Sequence, residues 1–314
     1  MQVNLQQAID LLKNGNVVAI PTETVYGLAA DASNDVALRQ IYAIKQRPTD
    51  NPLIVHIADV SQVRNWASEF SPLAQKLAAA FWPGPLTLVL PTKPHVSSIL
   101  RGNNPTVALR VPNHPLTLQL LKQSGLALAA PSANKFTQLS PTTAAHVMAG
   151  LGDAVPVLDG GACAVGIEST IVAVNGDNWQ MLRLGMLPQA NIHAVAGVPA
   201  TKLMQAIKAP GQHQLHYSPR TPMQLFSSRD ALIKNSHALI NANVSVAALL
   251  LGAGAVPNCT YFELNNNANN VAQKLYDTLH KMDALHVEKL LIEAPPNAPE
   301  WLAILDRLTR AAHN

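Results

Sequence analysis

The stretch Pro21-Thr22-Glu23-Thr24-Val25-Tyr26-Gly27-Leu28 decides how this chain reads. It follows the apolar run Val17-Val18-Ala19-Ile20, which has the length and branching of a buried strand. Pro21 ends that strand because it brings no N–H to a ladder. Two hydroxyls, a carboxylate and a phenol emerge within the next five residues, and Gly27 then allows a tight turn before the chain becomes apolar again. Donors and acceptors gathered at the carboxyl end of a strand are typical of ligand sites in α/β folds. The same residue types also build a plain capped loop between strand and helix, and the rest of the chain has to decide between the two.

Outward from that stretch, the chain has ample material for burial. It holds 314 residues, 48% of them hydrophobic, which is more than one typical core and enough for two. The formal net charge of +3 is only mildly basic and does not by itself mark a nucleic-acid binder. Cys163 and Cys259 lie far apart in no metal-type spacing, so a disulfide scaffold is not expected and a reducing cytoplasm fits. Met1 to Asn14 is polar and amphipathic and lacks the charged-then-apolar order of a signal peptide. No uncharged apolar run is long enough to span a bilayer, so no membrane is expected among the partners. Asn265 to Asn270 reads as a solvated loop.

Taken in order, the periodicity predicts a helix through Leu5, Ala8, Ile9, Leu11 and Leu12, ended by Asn14-Gly15. After the opening loop, Asp35 is expected to cap a helix carrying Leu38, Ile41, Tyr42 and Ile44, which delivers Lys45-Gln46-Arg47-Pro48 at its end. Residues 51–57 form a strand with His56 inside its apolar run, helices cover 59–68 and 71–81, and Trp82-Pro83-Gly84-Pro85 is a rigid corner. Strands 86–90 and 106–111 follow, then a helix near 115–124, strand 126–130 and a helix from Thr142 to Gly150. Strands 155–158 and 171–174 flank two glycine-containing turns, and Asn175-Gly176-Asp177 is a hairpin signal leading to a return strand over 179–184. A short helix closes this part before Gly197. The expected division is a catalytic domain over 1–197, a Pro-punctuated linker over 198–222 and a second domain over 223–314. In the last, strands 244–251 and 289–294 alternate with helices 271–285 and 301–312, the pattern of a small Rossmann-like unit. It has no G-x-G-x-x-G, so dinucleotide binding is not expected there.

Several chemistries are absent. There is no phosphate-loop signature and no G-x-S-x-G elbow, and His213 and His216 lack a third ligand for zinc. What remains is a spread of basic and hydroxyl groups at expected strand ends: Thr24, Lys45, Arg47, Asn51, His56, Arg110, Ser132, Ser140, Ser169, Thr170 and Arg183. Arginine forks match phosphates and carboxylates bidentately, so the set suits a substrate carrying both. Each residue alone reads as easily as a solvated surface group or, for His56, a satisfied core histidine. Arg110 is harder to set aside, because a charge ending an apolar strand needs a partner.

Here the motifs become recognisable as an ordered set. Pro21–Leu28 is followed by Lys45-Gln46-Arg47-Pro48 with Asn51-Pro52-Leu53-Ile54-Val55-His56, then Trp82-Pro83-Gly84-Pro85 and Arg110-Val111-Pro112. Pro131-Ser132-Ala133-Asn134, Ser140-Pro141-Thr142-Thr143, Leu158–Gly161 with Gly166–Val172, and His216-Tyr217-Ser218-Pro219 complete it. Each is weak alone; together, in order, they resemble the threonylcarbamoyl-AMP synthase family in its long form. That resemblance implies a YrdC-like α/β fold, with a twisted mixed sheet and flanking helices, joined by a long linker to a smaller Rossmann-like C-terminal α/β domain. The C-terminal 90 or so residues match by position and pattern only, as a domain of that length would.

The resemblance also implies a reaction in which L-threonine, bicarbonate and ATP give L-threonylcarbamoyl-AMP and pyrophosphate. A partner system would then transfer the threonylcarbamoyl group to adenosine beside the anticodon of certain tRNAs. Carried over by motif, L-threonine would meet Thr24, His56, Arg110, the Ala130 backbone and Thr170, with Ser169 adjacent. ATP would meet Arg47, Asn51, Thr106, Ser132, Ser140, Arg183 and Tyr217. Lys45 would sit by the phosphates or the carbamate, making Lys45 and Arg47 the expected catalytic pair. Mg²⁺ is expected on the phosphates with few protein ligands. The chain departs from the family pattern at Lys135-Phe136-Thr137-Gln138-Leu139, bulkier than the usual small, glycine-containing stretch, at Leu184-Gly185-Met186 after Arg183, and at the less basic Gln212-His213-Gln214. Two competing readings remain. One is a module binding double-stranded RNA or tRNA weakly through a basic concave face, against which the low charge and 4% aromatic content argue. The other is an O-carbamoyltransferase-like domain, whose usual zinc-finger and acylphosphatase-like modules have no counterpart here.

Overall fold

The computed structural model describes residues 1–197, 210–211 and 216–312. The chain separates into two compact units. The first comprises Met1–Phe136, Pro141–Ala164 and Glu168–Gln212, and the second Thr137–Ser140, Val165–Ile167 and His213–Asn314. Of the expected linker 198–222, residues 198–209 and 212–215 lie outside the described residues.

Local chemistry sets the element boundaries of the first unit. Helix α1 (Leu5–Lys13), after strand β1 (Gln2–Val3), starts on a reciprocal cap in which Asn4 and Gln7 satisfy each other's backbone N–H. Strand β2 (Val18–Ile20) stops at Pro21, and the chain returns as β3 (Gly27–Asp31), a Gly-Leu-Ala-Ala-Asp segment with no strand periodicity to announce it. Helix α2 (Asp35–Lys45) is capped by Asn34, whose side chain accepts from the N–H groups of Val36 and Ala37. Asp35, expected as the cap, is the first helical residue and serves the helix dipole instead. Gln46 ends α2 in the left-handed region at φ 52°.

The expected strand 51–57 contracts to β4 (Ile54–His56), because Asn51 and Pro52 are spent in a loop clamped by Arg47. The expected helix 59–68 is a 3₁₀ segment, Val60–Asn65. Then come α3 (Pro72–Phe81), β5 (Leu86–Pro91), a short α4 (Ser98–Arg101), β6 (Thr106–Arg110), α5 (Pro115–Ser124) and β7 (Leu128–Ala129). Helix α6 (Ala144–Leu151) starts on a Thr143 cap rather than at Thr142. It leads to β8 (Val157–Leu158), the hairpin β9 (Thr170–Asn175) with β10 (Asn178–Arg183), and α7 (Gln189–Ala196).

These strands form one ten-stranded mixed sheet in the order β1-β8-β2-β3-β7-β4-β6-β5-β9-β10. Buried aliphatic residues such as Leu28, Leu38, Ile41, Leu77, Leu88, Leu109 and Val172 make the main core on one face. Along the central strands, Ile54 pairs with Ala108 and His56 with Arg110. Val89 pairs with Ala108, Thr87 with Ile171, Val89 with Ala173, and Arg183 with Ile171. Paired residues share a face and side chains alternate along each strand. His56, Arg110, Thr87, Ile171 and Arg183 therefore make a row across the face opposite the main core. Ile54, Ala108, Val89 and Ala173 lie in the row beside it and, with Ile171 and Leu182, form a small separate apolar cluster.

The second unit has a parallel four-stranded sheet in the order β11-β14-β12-β13, from β11 (Met223–Phe226), β12 (Val246–Leu251), β13 (Thr260–Leu264) and β14 (Lys289–Glu293). Helices α8 (Arg229–Asn241), α9 (Ala268–Asp283) and α10 (Leu302–Ala311) connect or flank it. The Asn-rich stretch expected as a loop supplies the α9 cap, Asn267, and the start of the helix itself. The α/β class expected for both parts is thus what the chain adopts. Among the described residues no helix is long and apolar enough to cross a membrane.

The corrected cap of α2 is testable. Asn34→Ala removes an acceptor from two helix N–H groups and should cost about 0.5–2 kcal/mol, whereas Asp35→Ala should cost only about 0.3–1 kcal/mol. Urea unfolding of both variants, compared by midpoint, checks the order.

Candidate active site

The first loop folds on its own hydroxyls. Thr22 Oγ1 donates to the Val25 carbonyl at 2.6 Å, accepts from the N–H groups of Thr24 and Val25, and lies 2.9 Å from Thr24 Oγ1. This compact turn carries Glu23 and Thr24 onto the sheet face, where Arg110 meets both. Arg110 NH1 donates to Thr24 Oγ1 at 2.9 Å, NH2 makes a 2.7 Å ion pair with Glu23 Oε1, and Nε donates to the Gly84 carbonyl at 3.2 Å. Both members of the ion pair are buried. The strand-ending charge therefore has its partner, and that partner lies in the loop after β2. The same loop is locked from behind: Tyr26 Oη donates to the Gly161 carbonyl at 2.8 Å and lies 3.1 Å from Asp159 Oδ1, while Gly160 N–H donates to Tyr26 Oη. Burial pushes the Tyr26 phenol well above its ordinary range, so it stays protonated as that donor.

His56 stands beside Arg110 in the register, and its Nδ1 is buried with no hydrogen-bond partner among the described residues. Burial, reinforced by the Arg110 charge, pushes its pKa down to about 3, so it is a neutral imidazole. Further along the row Thr87 Oγ1 lies 2.8 Å from Ser169 Oγ. Arg183 donates from NH2 to Ser169 Oγ and from Nε to the Ser169 carbonyl, both at 3.0 Å, and from NH1 to the Pro210 carbonyl at 3.2 Å. The Thr170 hydroxyl turns to the Leu187 carbonyl at 3.0 Å. Gly185 makes this possible: a Cβ there would come within 2.4 Å of Thr170 N and 2.7 Å of the Ser169 carbonyl carbon. The Leu184-Gly185-Met186 departure thus keeps the one residue whose absent side chain the backbone approach requires.

A second group surrounds the end of α2. Lys45 is fully buried, and its Nζ donates to the carbonyls of Ser132 and Asn134, each at 2.6 Å. Burial, then the neighbouring Arg47 charge, pulls its pKa well down, while Glu168 acts in the opposite sense. Arg47 donates from NH2 to the Pro52 carbonyl at 2.9 Å and from Nε to the Asn51 carbonyl at 3.3 Å, with its guanidinium 6.0 Å from the centre of the Phe136 ring. Asn51 Nδ2 is buried and bonds nothing among the described residues. Ser132 bridges to Gly27, and Ala130 spends its N–H on the Ile54 carbonyl at 3.0 Å. Thr106 starts β6, level with Pro52 in the register that pairs Ile54 with Ala108.

In the first unit, then, the sheet face brings together Thr24, His56, Arg110, Ser169 and Arg183, Thr170 pairs with the main-core Leu86 on the opposite face, and the α2 end gathers Lys45, Arg47, Asn51 and Ser132. Ser140 and Tyr217 belong to the second unit. There His280 Nε2 lies 3.2 Å from the Ser140 carbonyl, and the Tyr217 ring packs on His216 and Tyr276 under the Arg307 guanidinium at 4.9 Å. His56, Arg110 and Arg183 are the last residues of β4, β6 and β10, the strand-end placement expected for them, and the register puts all three on one face of the sheet. Sequence reasoning missed Thr87, whose hydroxyl interrupts an otherwise apolar strand, and did not single out Glu23 as the partner of Arg110. Among the described residues no cluster of three or more His, Cys, Asp or Glu side chains could hold a metal ion.

The neutral His56 predicts a pH dependence. An unfolded histidine titrates near 6.5, but this one stays neutral to about 3. A depressed histidine contributes no penalty above about pH 6.5 and destabilises the fold progressively below it, as the unfolded chain alone binds the proton. The His56 imidazole resonances should therefore not move between pH 8 and pH 5, and His56→Gln should flatten the acid side of the stability curve. A midpoint near 6.5 would mean the ring is solvated.

Against this geometry stand the comparisons with known proteins. Residues 10–185 match the Sua5_yciO_yrdC family model, described as telomere recombination, and residues 187–313 match the model of the threonylcarbamoyl-AMP synthase C-terminal domain. The threonylcarbamoyl-AMP synthase of Bacillus subtilis is 39% identical over 98% of this chain and 92% of its own length. That of Pyrococcus abyssi is 36% identical over 97% and 93%. The crystal structure of P. abyssi Sua5 complexed with L-threonine superposes with a TM-score of 0.91 at 34% identity, covering 99% of this chain and 97% of that one.

Proposed function

The chain belongs to the threonylcarbamoyl-AMP synthase family, a family of nucleotidyl-transferring enzymes, and from that premise we propose that it joins L-threonine, bicarbonate and ATP into L-threonylcarbamoyl-AMP with release of pyrophosphate. The observation that carries this reading is Arg110: a buried guanidinium paired with Glu23 beside an apolar row of the sheet face, flanked by a threonine hydroxyl and a neutral imidazole. Such a group binds one carboxylate in a fixed orientation. Thr24, His56, the Ala130 backbone and Ser169-Thr170 surround the amino acid. Arg47, Asn51, Thr106, Ser132 and Arg183 serve the nucleotide.

The chemistry asks for positioning and charge stabilisation rather than a covalent nucleophile. The threonine nitrogen takes up the bicarbonate carbon, and a carbamate oxygen then attacks the α-phosphorus as pyrophosphate leaves. Lys45 and Arg47 stabilise the charge that builds on the phosphates. Lys45 reaches that role from a position where it also fixes the carbonyls of the loop after β7. The donor set does not fit a protein-held magnesium site, since Glu23 is engaged by Arg110 and no carboxylate cluster is present among the described residues. Mg²⁺ therefore belongs to the incoming nucleotide, keeping most of its waters, and no step runs through a protein-bound ion. The product is a labile mixed anhydride, so a transfer system acting on tRNA in the cytoplasm is the fitting consumer.

Two measurements test this. Pyrophosphate release from ATP should require both L-threonine and bicarbonate, and the product mass should equal that of threonylcarbamoyl-AMP; equal turnover with L-serine, glycine or no amino acid overturns the reading. Calorimetry should separate the two arginines, Arg110→Ala weakening L-threonine and Arg47→Ala weakening ATP. Each should lose about 1.5–3 kcal/mol, roughly 10–150-fold in affinity. Both changes acting on the same ligand alone would show the roles misplaced.

A further inference from the structure

The Glu23–Arg110 pair raises a question of charge. Before a substrate enters, the buried guanidinium already holds a carboxylate of its own chain at 2.7 Å. A second carboxylate on Arg110 would leave two negative charges for one positive charge in a buried space, which is costly unless one of them finds a new partner. An amino acid brings that partner, because its ammonium is attached to the carbon that carries its carboxylate.

We propose that Glu23 exchanges partners when L-threonine binds, yielding Arg110 to the substrate carboxylate, pairing with the substrate ammonium, and then accepting its proton as the nitrogen is carboxylated. The inference rests on the function proposed above and adds the base which that reaction needs. An ammonium has no lone pair, so carboxylation cannot begin until it loses a proton. The proton goes to a Glu23 carboxylate oxygen, giving a neutral amine and a neutral carboxylic acid. The amine lone pair forms the N–C bond to bicarbonate, and the carbamate and one water result. The Glu23 proton returns to solvent on product release. Every buried charge keeps an opposite partner until the transfer, and none is left alone after it.

The other groups around Glu23 are poor acceptors. Arg110 is permanently charged. Burial pushes the Cys163 thiol up to about 12, with Glu23 adding to the shift, so it holds its own proton. Burial lowers His114, only partly offset by the Gly160 carbonyl and the Glu23 charge. His56 is held neutral beside Arg110 and accepts a proton only near pH 3. Glu23 is the group whose partner the substrate takes: the incoming carboxylate competes for the Arg110 guanidinium that Glu23 holds at 2.7 Å. Neither Glu23 carboxylate oxygen accepts a hydrogen bond among the described residues, so only the ion pair has to break.

Two experiments test this. Glu23→Gln keeps an acceptor for Arg110 but cannot take a proton. It should bind L-threonine within about tenfold of the wild type, while threonine-dependent pyrophosphate release at pH 7 falls by about 100-fold or more, the usual scale for a lost base. Its rate should climb about tenfold per pH unit as solvent supplies free amine, where the wild type is flat. Turnover within a few-fold of the wild type, or a loss confined to L-threonine affinity, overturns the proposal. The wild-type protein gives a second test that needs no variant. 3-Hydroxybutyrate, the threonine skeleton without its amine, displaces Glu23 and offers it no cation, so Glu23 must take a proton from solvent. Its affinity should rise as pH falls from 8 to 6, and its binding heat should depend on the buffer, while L-threonine shows neither effect. Absent or pH-independent binding of 3-hydroxybutyrate overturns the proposal. If the wild type releases no pyrophosphate with L-threonine, the function itself is wrong; if it does and these tests fail, only the role of Glu23 is.

Discussion

The first unit turns on one guanidinium. Arg110 ends β6, and its three nitrogens tie two separate pieces of chain to the sheet: the corner before β5, through the Gly84 carbonyl, and the loop after β2, through the Thr24 hydroxyl and the Glu23 carboxylate. A buried ion pair of this kind contributes little net stability, because desolvation of both ions offsets their attraction. Its effect is on geometry. Removing either partner strands a buried charge, so the loop, the corner and the strand end are fixed relative to one another far more firmly than hydroxyl hydrogen bonds alone would fix them.

A second constraint follows from the neighbours of that arginine. Two basic side chains, Lys45 and Arg47, are buried at the end of α2. Each donates to backbone carbonyls: Ser132 and Asn134 for Lys45, Asn51 and Pro52 for Arg47. Carbonyl dipoles stabilise a cation without cancelling its charge. The loops around the end of α2 are cross-linked by these two side chains.

How much of this was legible in the sequence depends on whether the signal was local. Gly and Pro punctuation and helical periodicity placed α1, α2, α3, α5, α7 and the hairpin after Asn175 to within a few residues, because caps and turns are written in adjacent positions. β3 and β13 went unread: β3 is a glycine–alanine segment buried by its neighbours, and β13 alternates poorly at a sheet edge. The cap of α2 was misplaced by one residue because Asn and Asp stand side by side and either could serve. In the site, the residue types were legible and the face was not. The row of His56, Arg110, Thr87 and Arg183 exists only through the register of β4, β6, β5, β9 and β10, a relation across more than a hundred residues that no spacing encodes. The partner of Arg110 was equally hidden, since Glu23 and Thr24 are neighbours in sequence and only the fold decides what each one faces.

The second unit shows the same logic turned to a structural end. Open parallel sheets bind ligands beyond the carboxyl ends of their strands, where loops diverge. In this unit that position is filled by the chain itself. Arg229, at the start of α8, pairs with Glu293 at the end of β14 at 2.8 Å and donates to the carbonyls of Leu251, which ends β12, and Ala253 just past it. Glu293 in turn accepts from the Leu251 N–H. Gly254 lies so close that a Cβ there would come within 2.5 Å of the Arg229 guanidinium. A glycine-containing loop after a parallel strand is thus present, as in nucleotide-binding folds, but its close approach is to an internal guanidinium rather than to a phosphate. The two units use one chemical device, an arginine paired with a carboxylate at a strand end. The difference lies in what surrounds the pair. Arg110 opens onto a face of small apolar side chains and orphaned polar atoms, whereas Arg229 has its carbonyls, its carboxylate and its glycine already in place.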